Sequence, residues 1–182
     1  MDDFLLKRLD ELLKLAQKRN VMKLKELGGI IAERAYLRGD RRMVNLIVVS
    51  YAMAKFLEKH YISESKQWDK FYLRFVSLVG DAKDELREED LDSFYSLVGT
   101  IVDEIKNLSE NAGRFQSNIV EKAKIKAGTQ IYAHGASLAT AADFAQVDMS
   151  ALASYINVTK LPEKYGTMSV RERLKMAEEL FR

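Results

Sequence analysis

The sequence predicts an all-α protein. An N-terminal antiparallel helical bundle is expected over residues 1–113, followed over 114–182 by a tri-helical module with a closing helix. Three observations lead there. Apolar residues recur at three- and four-residue spacing almost throughout. No segment shows the short alternating runs bounded by turn residues that indicate a sheet. A 47% apolar content beside 31% charged residues describes a chain able to bury a core rather than a disordered one.

The elements follow in order. Leu5, Leu9, Leu12 and Ala16 trace one face of a first helix, which Asp2 or Asp3 is placed to cap. Leu24, Leu27, Ile31 and Ala35 trace a second, ending at Gly39, where a left-handed residue closes a helix. Gly28-Gly29 inside it costs about 1 kcal/mol per glycine against alanine, which a close helix crossing would explain. Asp40 caps a third helix through "RRMVNLIVVSYAMAKFLEKH". That helix is apolar on nearly every side from Met43 to Leu57, so it is expected at the centre. "ISES" breaks the chain, and Ser65 starts a helix with Trp68, Phe71, Tyr72, Phe75 and Leu78 facing inward. The charged "GDAKDELREED" reads as a short exposed helix or turn. Asp90 caps the next helix, whose stripe is Leu91, Phe94, Tyr95, Val98, Ile101, Val102, Ile105 and Leu108. "SENAG" at 109–113 is a turn cluster.

A long helix, about Gln116 to His134, comes next. Gly135 ends it, Ser137 caps "LATAADFAQ", and Asp148 caps "MSALASYIN". Ala142 supplies the small residue where two helices meet, Ala145 the apolar position three residues on, and Val147 a plug for the turn. Leu152 and Tyr155 (or Ile156) face inward. On these residues the segment 122–160 resembles the helix-turn-helix class. With "KAKIKAGTQIYAHGASL" before it and "YINVTKLPEKYG" and "SVRERLKMAEELF" after, it is also similar to C-terminal modules of poorly characterised archaeal proteins.

The resemblance implies docking on duplex DNA, and hence a regulator or regulatory partner protein. Lys122, Lys124 and Lys126 on the preceding helix, and Lys160 after the motif, are the candidates for holding phosphates. The exposed recognition positions would be Asp148, Met149, Ser150, Ala153, Ser154 and Asn157, of which Ser150, Ser154 and Asn157 are the candidates for reading base edges. None is Arg, Lys or Gln, the side chains that best read guanine or adenine. Gln146 stands where the usual turn has glycine, so it must take a positive φ or use a different turn. The closing helix starts with a capping box, Ser169 to Glu172, and carries Val170, Leu174, Ala177 and Phe181 on one side. It either packs back on its own domain or crosses to a second copy, as paired motifs need a homodimer to read a two-fold operator. Arg171, Arg173 and Lys175 lie nearby. The bundle is then the surface for dimerisation or another protein. The alternative is an interaction scaffold that never meets nucleic acid.

Charge gives DNA binding little help. The chain holds 29 bases and 27 acids, and residues 1–118 hold 20 of each, whereas proteins that grip nucleic acid through bulk charge are more basic. With no cysteine, disulfides, thiolate metal sites and a Cys nucleophile are excluded. His60 and His134 sit in no metal-ligand spacing, and both read as helix C-terminal residues favoured by the dipole. No phosphate-cradling glycine pattern and no acid–base pair can be assembled, so neither cofactor, metal nor catalysis is expected. The apolar run 43–57 is too short and too polar for a bilayer, and the acidic N-terminus is unlike a signal peptide. A cytoplasmic protein is the expectation.

Overall fold

The computed structural model describes residues 2–111 and 118–159. Among them are nine α-helices and no strand, so the protein is all-α. The helices are α1 (Asp3–Gln17), α2 (Val21–Arg38), α3 (Val44–Leu57), α4 (His60–Ser63), α5 (Lys66–Arg87), α6 (Leu91–Asn111), α7 (Ile119–Ala133), α8 (Leu138–Ala145) and α9 (Met149–Thr159).

Short polar side chains begin most of them, as their free N–H groups require. Asp2 accepts from the Leu5 N–H, Asn20 from Lys23 and Ser65 from Trp68. Asp90 accepts from both Asp92 and Ser93. Asp40 accepts from the Arg42 N–H, but what it opens is a 3-10 turn, Arg41–Met43, before α3 proper. Gly39 closes α2 at φ 66°.

α3 is the central helix. Eleven of its 14 residues are buried, because α1, α2, α6 and α7 all pack on it. Its one buried hydroxyl is satisfied: Ser50 Oγ donates to the Leu24 carbonyl of α2 at 2.5 Å, as a polar group in a core must be. Gly28 faces Ile47 and Ser50 of α3, and Gly29 faces Gln130 of α7. The paired glycines therefore mark a helix crossing on two sides. At the far end of α3, Phe56 meets Trp68 and Phe71 edge-on, with ring centres 6.3 and 5.9 Å apart, and Phe71 stacks on Phe75. α5 packs along α6.

Four expectations are corrected. The charged passage is no separate turn: α5 continues through it to Arg87. Val79, Ala82 and Leu86, all buried, keep the apolar stripe at three- and four-residue spacing beneath the charges. α6 likewise runs through Ser109 to Asn111, because Leu108 and Ser109 still face the core. His60 opens the single turn α4 instead of ending a helix, and contacts Glu64 at 3.1 Å. Leu91 is 40% exposed at the start of α6, so it does not belong to the inner stripe, whereas half-buried Tyr72 still packs against the core and stacks on Trp68. Residues 112–117, Lys160 and the closing segment with its capping box lie outside the described residues.

Candidate nucleic-acid interface

The candidate interface is built on α7. Its buried positions are mostly small, Ala123, Ala127, Gly128 and Thr129 beside Ile119 and Ile131, so neighbours approach it from two sides. On one side lie α2 and α3; on the other, α8 and α9. Gly128 is the point of closest approach. A β-carbon there would stand 3.1 Å from Ala145 Cβ, 3.2 Å from Leu152 Cδ2 and 3.3 Å from the Ala141 carbonyl oxygen.

α8 is capped by Ser137, whose hydroxyl accepts from the Thr140 N–H, and α9 by Asp148, which accepts from Ala151. Between them Gln146 takes the left-handed conformation, φ 56°, ψ 48°. The Val147 N–H then returns to the Ala142 carbonyl at 3.0 Å and the Gln146 N–H to Asp143, which closes α8 in the manner glycine usually permits. Lys124 Nζ donates to Gln146 Oε1 at 3.3 Å, tying α7 to the turn. A non-glycine residue pays about 1–2 kcal/mol for this backbone. Gln146→Gly is accordingly expected to raise stability by about 0.5–1 kcal/mol after the added freedom of the unfolded chain is counted. In a thermal melt that is a rise of about 2 °C; a fall would show that the Lys124 contact matters more than the strain.

Ala142, Ala145 and Leu152 are buried between the helices, and Val147 and Ile156 are partly buried against the same core. Ser150, Ser154 and Asn157 are all exposed, and their i, i+4, i+7 spacing places them along one outward face of α9. Met149 at its start is 50% exposed. The lysines do not form a single patch. Lys122 is exposed on α7; Lys124 faces the α8–α9 turn through Gln146; Lys126 is half-buried on the side toward α2 and α3. Two-residue steps along a helix turn side chains to nearly opposite sides, whereas four-residue steps return to the same side, so Lys124 points away from Lys122 and Lys126, which lie one turn apart. Over 118–159 they are balanced by Glu121, Asp143 and Asp148.

Sequence reasoning missed two links that seat this unit. Arg41 reaches across with both terminal nitrogens to the Asp143 carboxylate on α8. Tyr36 of α2 meets the Phe144 ring edge-on with centres 6.4 Å apart. Both pairs join residues more than a hundred positions apart in the chain, which no local pattern reveals. Among the described residues no helix is long and apolar enough to cross a membrane.

Comparison with known proteins gives no family model that matches the chain, and no similar curated protein or solved structure.

Proposed function

We propose that the chain is a DNA-binding regulator that docks duplex DNA through α7–α9, with α9 laid into the major groove. The observation that carries this reading is the outward row Ser150, Ser154 and Asn157 on a helix that follows a tight, capped turn. α9 has 11 residues, about 16 Å at 1.5 Å per residue, and the major groove, about 12 Å wide, admits such a helix. Asn157 is suited to an adenine edge, the two serines to either partner of a pair, and Met149 to a thymine methyl. Lys122 and Lys124 supply phosphate contacts from α7, and Lys160, next in the sequence after α9, is a further candidate. The helix N-termini add backbone donors. A homodimer presents two such units to a two-fold site, and the bundle supplies the contact with the second copy or with a protein partner.

The rival reading, a protein-interaction scaffold, is favoured by one observation: no base lies on α9 between Met149 and Thr159. Binding to genomic duplex fragments across a salt series separates the two. Under the DNA reading, affinity falls steeply with salt, and Lys122→Glu with Lys124→Glu lowers it about tenfold or more and flattens the slope by roughly two. Ser154→Ala with Asn157→Ala should relax sequence preference while leaving the slope alone. Absence of binding at low salt would leave the scaffold.

A further inference from the structure

A second feature lies where α2, α3, α7 and α9 converge. Their side chains enclose a cleft of about 200 Å³. Lys25 of α2, Lys55 of α3 and Lys126 of α7 bring three ammonium groups to it, and Tyr51 of α3 and Tyr155 of α9 flank them. One carboxylate answers these charges: Glu58 accepts from Lys25, and from Lys55 at 2.8 Å. Lys126 has no hydrogen-bond or ion-pair partner among the described residues. Gln130, also in the wall, has its side-chain oxygen buried with no donor. A half-buried ammonium without a counter-charge and a buried carbonyl without a donor each cost free energy that a ligand would recover.

We propose that this cleft binds a small phosphate monoester. Three lysines against one glutamate leave two positive charges, which match a phosphate dianion. The cleft has lysines and no arginine. Lysine meets phosphate as a point charge, and a monoester concentrates both negative charges on one group small enough for the cleft, where a dicarboxylate spreads them over two. A hydroxyl on the organic part would donate to Gln130 Oε1, and its carbon skeleton would rest between the two tyrosines above Gly28 and Ile47. The volume is below the ~300–1,000 Å³ of most small-molecule sites, so the organic part is no larger than a short polyol or a small sugar. Burial pushes the Lys126 ammonium below its ordinary pKa, and the charges of Lys25 and Lys55 push it in the same direction. An anion beside the three ammonium groups would oppose both effects.

The test is a titration of the full chain, 15N-labelled, with glycerol 1-phosphate, followed by amide shifts. Saturable movement of the Gly28, Gly29 and Gln130 amides is expected, with Kd about 1 mM or tighter. Lys126→Met should weaken binding about tenfold without lowering the melting temperature, since it removes a charge that has no partner. Lys55→Met is the second variant and should also weaken it, with Glu58 still held by Lys25. Inorganic phosphate and succinate are run alongside and are expected to bind several-fold more weakly. Inorganic phosphate binding as tightly would overturn the ester, and succinate binding more tightly would overturn the phosphate. Shifts absent, or unmoved by both substitutions, would overturn the site. No DNA is present, so the outcome is independent of the docking proposed for α9.

Discussion

Phe56→Ala is expected to lower the melting temperature by about 10 °C. Phe56 is fully buried at the end of the central helix, with its ring held by the edges of Trp68 and Phe71. Truncating a buried Phe to Ala typically costs about 3–5 kcal/mol, from lost burial and the cavity left behind. The aromatic contacts add a part that area alone does not capture. In a chain of this size each kcal/mol moves the transition by roughly 2–4 °C. A shift below about 2 °C would mean that α4 and α5 collapse into the space, and that this corner is far looser than its packing indicates.

Gly128→Leu tests the other end of the molecule. With Ala145, Leu152 and the Ala141 carbonyl already within 3.3 Å of where a β-carbon would stand, a leucine has no room unless α8 and α9 move off α7. The cost is expected to be about 3 kcal/mol, the upper end of ordinary overpacking. Gly128→Ala should be near neutral, because a shift of a few tenths of an ångström is offset by about 1 kcal/mol of helix propensity. Denaturant melts of the two variants check both values. A leucine variant as stable as the parent would show that the α7–α9 contact is not the tight crossing described here. Under the DNA reading the same variant should also lose duplex binding, since it displaces the helix that carries Ser150, Ser154 and Asn157.

Local physics was readable in the sequence; long-range placement was not. Asp2, Asp40, Ser65, Asp90, Ser137 and Asp148 each cap the element that begins beside them, because capping involves only neighbours in the chain. The central position of α3 was legible for the same kind of reason: a helix apolar all round has to be covered all round. The charged passage misled because Asp81, Lys83, Asp84 and Glu85 outnumber the buried Ala82 and Leu86, although the stripe is continuous. Lys126 shows the larger limit. Its sequence neighbours suggest one basic row, yet helical geometry turns it away from Lys124 and toward Lys25 and Lys55 on other helices. Which residues meet in a cleft depends on how helices cross, and that is settled by small residues such as Gly29 and Gly128 whose partners the sequence does not name.

The position of α7 between the bundle helices and the α8–α9 pair has a consequence for how the molecule comes apart. α8 and α9 have eight and 11 residues, and isolated helices that short are marginal in water. Their inward side chains on α8 are largely alanine, so each buries little apolar area. α7, by contrast, is anchored independently by α2, α3 and α6. α8 and α9 are thus expected to open at lower free energy than the bundle, and each opening would uncover the Gly128 side of α7 and the Tyr36 ring that Phe144 covers. Local unfolding of α8 and α9 would therefore offer a way to regulate the proposed DNA-docking element.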